Sequence, residues 1–126
     1  DSNGMPSDNF TVPYVVSSET FIEHALQYIS VNYNGQIQIS DIASYIGVHR
    51  SYLHNLFKDR LQQSPQEYLL TFRMERAKKL LSTTSDSVKE IAKQVGYQNA
   101  FSFSKACHRA TGMSPTEYRL LPTHKI

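Results

Sequence analysis

The fold of this chain is decided by the stretch IASYIGVHRSYLHNLFKDRLQQSPQEY, residues 42–68, because its pattern returns about fifty residues later as IAKQVGYQNAFSFSKACHRATGMSPTEY, residues 91–118. Both copies keep an Ile-Ala pair, a glycine, a Ser-Pro pair and a Glu-Tyr pair in the same order. The offset is 49 residues up to the glycine and 50 residues beyond it, so one residue is inserted after Gly96. A unit of this length used twice is typical of a small supersecondary module. A short helix, a glycine turn and a second helix are the parts of a helix-turn-helix, so each copy is predicted to be one.

Apolar spacing predicts helices before and within the first copy. Thr20 and Glu23 have the spacing of a capping box, and the helix that follows should stop at the Asn-Gly pair at 34–35. Ser40 is expected to cap a short second helix that Gly47 ends, since glycine accepts the positive φ of a tight turn. A third helix should begin near His49 and cover about residues 50–60.

A long helix is predicted between the two copies. Ser64 caps it with Pro65 at its first position, and it should run to about Ser82. Its predicted buried stripe consists of Tyr68, Leu69, Phe72, Arg76, Ala77, Leu80 and Leu81.

The second copy carries helix-start signals of the same kind. They are the capping box at Ser87 and Glu90, the cap Asn99 and the pair at 114–115. No segment shows the alternation of apolar and polar residues that is typical of a β-strand. We therefore predict an all-α fold of about seven helices, with two helix-turn-helix subdomains joined by a long linker helix.

Charge is divided unevenly along the chain. Residues 1–49 contain five acidic residues and no Lys or Arg, whereas residues 50–126 contain all thirteen Lys and Arg and six acidic residues. A basic bias confined to part of a domain indicates a surface that faces a polyanion. The single cysteine, Cys107, cannot form an internal disulfide and fits a reducing cytosol, so we expect a cytoplasmic protein. No apolar run approaches the ~18 residues of a membrane span, and no membrane partner is expected.

Two outward helix faces are the candidate binding surfaces. At 100° per residue, the side chains opposite the apolar stripes are Arg50, Ser51, His54, Asn55 and Lys58 in the first copy, and Ala100, Phe101, Ser104, Lys105 and His108 in the second. Arg50 can reach guanine or phosphate, and Asn55 can pair bidentately with adenine. Phe101 has two interpretations: it contacts a thymine methyl group, or it folds back against Tyr97.

Other classes of function have weaker support. The histidines and Cys107 show no closed set of metal-ligand spacings, and Cys107 lies on a buried stripe. The scattered glycines make no phosphate-binding loop, and no catalytic triad pattern occurs, so we predict no enzyme, no metal and no cofactor. The remaining alternative is an all-helical protein-interaction module without DNA binding. Salt dependence of duplex binding separates it from a DNA-binding domain.

Residues 21–121 resemble the DNA-binding domain of the AraC/XylS transcription regulators. The resemblance rests on both copies, on Arg73, Ala77 and the Leu-Leu pair of the joining helix, and on their order and spacing. It implies a sequence-specific DNA-binding domain of a bacterial regulator, which places two recognition helices in successive major grooves of double-stranded DNA. The contact positions that it implies are Arg50, Ser51, His54, Asn55 and Lys58, then Ala100, Phe101, Ser102 and Lys105; Ser104 is added from the outward face.

The resemblance also implies domain boundaries and partners. Residues 1–18 are interpreted as a non-native remnant and interdomain linker, residues 19–121 as the DNA-binding domain, and residues 122–126 as a tail. Within the domain, the first subdomain covers 20–63, the linker helix 65–82 and the second subdomain 86–121. RNA polymerase is the further partner, and a small-molecule effector would bind an N-terminal domain outside this chain. The sequence departs from the family pattern at Gln62, where a glycine is common, at Cys107, where Phe is usual, and at Lys105, where Arg is frequent.

Overall fold

A computed structural model of the chain describes residues 17–122. This range contains seven α-helices and no β-strand. The seven helices are α1 (Ser18–Asn32), α2 (Ile39–Ile46), α3 (Arg50–Leu61), α4 (Pro65–Thr83), α5 (Val88–Gln94), α6 (Ala100–Thr111) and α7 (Pro115–Arg119). The predicted all-α fold and the number of helices are thus confirmed for this range. Most of the predicted linker (residues 1–16) and most of the predicted tail (residues 123–126) lie outside the described residues. None of the helices in residues 17–122 is both long and apolar enough to cross a membrane.

Two helices begin earlier than the sequence predicted. Ser17, not Thr20, caps α1, because the Ser17 side chain accepts the N–H of Thr20 and Ser18 is already helical. In α2 the predicted cap Ser40 lies inside the helix. The Asp41 carboxylate accepts the backbone N–H of Gln38 at 2.7 Å, which places Gln38 at the cap position and starts the helix at the next residue.

The other predicted helix starts are confirmed. His49, Ser64, Ser87, Asn99 and Ser114 are the caps of α3, α4, α5, α6 and α7. The three serines in this list each form a capping box with the glutamate three residues later. Each box satisfies two backbone N–H groups at the start of its helix. The helix starts therefore depend mainly on contacts within four residues.

Two separate hydrophobic cores form, one for each helix-turn-helix subdomain. The first is built by α1, α2, α3 and the start of α4, with the buried residues Ile22, Ala25, Ile29, Ile42, Ala43, Leu53, Leu56, Phe57 and Leu69. The second is built by the rest of α4 with α5 and α6, with the buried residues Met74, Ala77, Leu81, Ile91, Ala92, Val95, Phe103 and Cys107. Tyr33, at the end of α1, packs against both cores.

Helix α4 crosses from one core to the other. The prediction that all seven residues of its stripe face the core is wrong for one of them. Arg76 is exposed, and its guanidinium carbon lies 5.4 Å from the ring centroid of Phe72. Arg73 is buried instead, together with Met74. The helical spacing of 73, 77 and 81 places these residues on the side that meets the second subdomain, so the buried face of α4 turns as it changes core.

Candidate nucleic-acid interface

Helix α3 is held with one face in the first core. The Nδ1 atom of His49 accepts the backbone N–H of Ser51 at 3.2 Å and so fixes the start of the helix. Leu53, Leu56 and Phe57 are buried. Since these residues are spaced three and four apart, they anchor one stripe and leave the opposite face of α3 to solvent.

The five residues predicted for the first surface lie on that opposite face. All of them are exposed: Arg50, Ser51, His54, Asn55 and Lys58. The hydroxyl of Ser51 is 2.8 Å from Nδ1 of His49, so it is already used at the helix start. Arg50, His54 and Asn55 carry polar groups that can reach a ligand from the first two turns of the helix.

The side chain of Lys58 extends from α3 towards the start of α4. Its Nζ is 3.9 Å from Oε1 of Glu67, and both side chains are more than half exposed. The same Glu67 carboxylate accepts the Ser64 N–H at 2.7 Å. That backbone hydrogen bond, the Ser64 hydroxyl and the Lys58 charge lower the pKa of Glu67. Because exposed ion pairs contribute little stability, Lys58 can leave this pair for a phosphate at small cost.

Helix α6 repeats the arrangement in the second subdomain. The Asn99 side chain caps it by accepting the N–H of Ser102 at 2.8 Å. Phe103 and Cys107 are buried, whereas Ser102 and Lys105 are exposed and Ala100 and Ser104 are half-buried. Together with exposed Phe101, these residues share the N-terminal half of one helix, whereas His108, also predicted on the outward face, is exposed in its last turn.

Phe101 is the most exposed large apolar side chain in the described range, at 72%. The interpretation in which it folds against Tyr97 is wrong, because Tyr97 packs on Phe103 instead, with ring centroids 5.5 Å apart. The Lys105 ammonium nitrogen lies 5.3 Å from the centroid of the Phe101 ring, within the range of a cation–π contact. An aromatic ring and a cation are therefore presented together on the outward side of α6.

A groove lies beside each of these two helices. The first, of about 660 Å³, is lined by His49, Arg50, Ser51, His54, Gln66 and the start of α4. The second, of about 580 Å³, is lined by Phe101, Ser104, Lys105, His108, Arg109 and Ser114. His54 and Ser104, like Ser64 and Ser114, are equivalent in the two copies, so the grooves are related by the repeat. Both contain cations and hydrogen-bond donors.

Gln66 and Arg109 line these grooves but were not among the predicted site residues. Arg109 follows Lys105 by four residues, so the helical period could have identified it. Gln66 belongs to α4, and only the packing of α4 beside α3 brings it to the groove.

Other chemistry has little support in residues 17–122. Cys107 is buried, and burial raises the pKa of its thiol, which disfavours the reactive thiolate. Its Sγ lies 3.8 Å from the Thr111 hydroxyl. No group of three or more His, Cys, Asp or Glu side chains in this range could hold a metal ion.

Comparison with known proteins gives a consistent result. A protein-family model that is described as a helix-turn-helix domain matches residues 42–120 of this chain. The raffinose operon transcriptional regulatory protein RafR of Pediococcus pentosaceus is 45% identical over 105 residues, which are 83% of this chain and 38% of that protein. The lactose operon transcription activator of Staphylococcus xylosus is 41% identical over 98 residues, 78% of this chain and 35% of that protein. The chain thus spans little more than a third of the length of these curated relatives.

A solved structure shares the arrangement of helices. The crystal structure of a transcriptional regulator from Chromobacterium violaceum, described as one of the AraC-type DNA-binding domain-containing proteins, superposes with a TM-score of 0.75 at 31% identity. The match covers 83% of this chain and 96% of that one. The agreement therefore includes both subdomains and the helix between them.

Proposed function

Because the chain belongs to the AraC/XylS family and is a sequence-specific DNA-binding domain of a bacterial transcription regulator, we propose that it binds operator DNA by inserting α3 and α6 into two adjacent major grooves. The observation that supports this most directly is the repeated surface. Two helices present exposed polar faces, and a groove that contains cations lies beside each at equivalent positions. A duplex offers base edges in the major groove and phosphates on both sides of it, which matches that layout.

In the first subdomain, Arg50 and Asn55 contact base edges and Lys58 contacts phosphate. Arginine pairs bidentately with guanine and asparagine with adenine, each worth about 1–3 kcal/mol of discrimination against the wrong base. His54 and Ser51 add hydrogen bonds from the same face. Lys58 is further along α3 and beside the start of α4, which supports a contact with the DNA backbone rather than with the bases.

In the second subdomain, the Phe101 ring contacts a thymine methyl group and Lys105 contacts phosphate or guanine. Apolar contact with the thymine methyl is a known means of base reading. Ser102 and Ser104 supply hydrogen bonds, while Ala100 allows close approach of the helix start. Lysine lacks the planar fork of arginine, so Lys105 should select guanine less strictly than an arginine would.

The surrounding protein activates transcription of a sugar-utilisation operon from the cytoplasm. The names of the two relatives above, a raffinose operon regulator and a lactose operon activator, support this reading. RNA polymerase is the further partner, and an effector domain lies outside this chain. We propose no catalytic activity, since regulators of this kind act by binding.

Selection of preferred sequences from a random duplex pool tests this function. The selected site should contain two unlike elements about one helical turn apart, roughly 34 Å, because the outward residues of α3 and α6 differ. Binding of that site should weaken steeply with added salt, since phosphate contacts release counterions. Failure to enrich any sequence, with no salt-dependent binding, would refute the proposal and favour a protein-interaction module.

A further inference from the structure

Arg73 is the only polar or charged residue that is buried in residues 17–122, with 8% of its surface exposed. Burial lowers the pKa of its guanidinium, which nevertheless stays protonated at neutral pH. A buried cation is costly unless hydrogen bonds compensate it. Its position on α4 lies between the two cores, at the point where the buried face of that helix turns.

The partners of Arg73 are carbonyl groups at the end of α1. Its Nε donates to the Tyr33 oxygen at 2.8 Å, and its Nη2 donates to the Gly35 oxygen at 2.8 Å. Carbonyls at a helix C-terminus carry the negative end of the helix dipole and attract a cation. The guanidinium therefore ties α4 to the far end of the first subdomain's first helix.

The turn of the second subdomain packs against the same atoms. Gly96 has φ 96°, and a Cβ at this position would lie 2.5 Å from the Tyr33 oxygen and 2.8 Å from Nε of Arg73. The Gln36 side chain also donates to the Gly96 oxygen at 3.2 Å. Only glycine permits this approach, because any side chain would displace backbone.

Tyr33 completes this contact. Its ring lies 5.1 Å from that of Phe72 and packs against both cores. We name the contact between Tyr33, Gln36, Arg73 and Gly96 the junction. The two subdomains are therefore connected twice, once through the chain along α4 and once through the junction.

We propose that the junction fixes the separation and rotational phase of the two recognition helices, so that Arg73 and Gly96 determine which spacing between the two operator elements is bound. The inference rests on the proposed function. A single connecting helix can bend and twist, whereas a second contact on another side restricts both motions. One base pair changes the separation of two elements by about 3.4 Å and their phase by about 35°, so even small freedom at the junction would relax the required spacing.

The experiment compares binding of the selected site with duplexes in which one or two base pairs are added or removed between its elements. For the parent, each change should weaken binding by about tenfold or more, because one element loses its base contacts. Gly96→Ala should bind the original spacing more weakly and reduce the discrimination between spacings to about threefold or less. Its affinity for either element alone should be unchanged, since no DNA-facing residue is altered.

Gly47→Ala is the matched control. Gly47 is the turn glycine of the first subdomain and has φ 79°, but an added Cβ would meet nothing within 4 Å. It carries the backbone strain of a left-handed alanine without the collision. Gly47→Ala should therefore keep the spacing preference of the parent.

Arg73→Lys is the second variant, measured in case Gly96→Ala does not fold. Lysine keeps the charge but cannot hold two carbonyls in the fixed geometry of a guanidinium. It should broaden the spacing preference while leaving binding to single elements intact. The inference is overturned if the folded variants keep the spacing preference of the parent. Absence of binding by the parent itself would instead refute the proposed function.

Discussion

Gln62 and Gly112 occupy the same position in the two copies, each directly after a recognition helix and each in the left-handed region. Their φ values are 58° and 79°. Gln62 is the only residue other than glycine with positive φ in the described range. Its backbone N–H donates to the Lys58 oxygen and its side chain to the Asp59 oxygen at 3.1 Å, which partly offsets the strain.

Replacing Gln62 with glycine should stabilise the domain. The left-handed conformation costs a residue with a Cβ about 1–2 kcal/mol, and glycine removes this cost. Loss of the hydrogen bond from the Gln62 side chain offsets part of the stabilisation. We expect the free energy of unfolding to rise by about 0.5–1 kcal/mol. Urea unfolding measures it.

The control for this substitution is Gly112→Ala. An added Cβ there meets nothing within 4 Å, so only backbone strain changes, and stability should fall by about 1 kcal/mol. A Gln62→Gly variant less stable than the parent would show that the side-chain hydrogen bond outweighs the strain.

Asn55→Ala and Lys58→Ala should affect DNA binding in different ways. Loss of Asn55 should change the preferred base at one position, at a cost of about 1–3 kcal/mol for the original site. Loss of Lys58 should weaken binding to all sequences alike and reduce the salt slope by about one unit. Selection from a random pool and salt titration measure the two effects. Unchanged base preferences in both variants would contradict the role given to Asn55.

One residue inserted after Lys78 should abolish tight binding to the intact site. The insertion rotates the rest of α4 by about 100°, which moves the second subdomain relative to the first. Helical content should be largely retained, and single elements should be bound only weakly. Circular dichroism and binding to the selected duplex check this.

A residue inserted after Ser85 is the matched control. It lies in the connection between α4 and α5, which can absorb an extra residue more readily than a helix. Binding closer to that of the parent is expected. Equal, tight binding by the Lys78 insertion would mean that the subdomains move independently.

Stability should decline at acid pH through the capping boxes of α4 and α7. In Glu117, as in Glu67, hydrogen bonds from the Ser114 or Ser64 backbone N–H lower the pKa most, and the serine hydroxyl adds to it. A carboxyl whose pKa is lower in the folded state contributes stability above its unfolded pKa. That contribution is lost as the pH falls through the folded value.

The double variant Glu67→Gln and Glu117→Gln should therefore be less stable than the parent at neutral pH. The difference should shrink as the pH falls below about 4, where the carboxyls of the unfolded chain become protonated, and should be smallest below their lower folded-state pKa, where both states are protonated. Urea unfolding at a series of pH values measures this. A difference that stays constant with pH would show that these carboxylates do not contribute through their charge.

Much of the fold could be predicted because its signals are local. The glycine turn at Gly47, the cap at Ser64 and the capping box at Ser87 depend on residues within four positions, and the repeat shows them twice. The starts of α1 and α2 were misplaced because several nearby polar residues could serve as caps. At α2, only the contact between the Asp41 carboxylate and Gln38 decides among them.

The buried role of Arg73 could not be predicted from spacing. Its side chain is compensated by carbonyls 38 and 40 residues earlier, and only the folded chain brings them together. For the site, helical period was enough to identify the exposed face of α3. It could not decide between two orientations of Phe101, because that depended on whether Tyr97 was already occupied by Phe103.

The separation of the recognition faces from both cores has an evolutionary consequence. Arg50, His54, Asn55 and Lys58 are exposed on a helix whose anchoring residues lie on its other side. Substitutions at such exposed positions usually change stability by no more than about 0.5 kcal/mol. A duplicated descendant could therefore acquire a new operator by successive changes on these faces while its fold stays intact. Divergence within such a lineage should concentrate there and spare the residues that hold the two subdomains together.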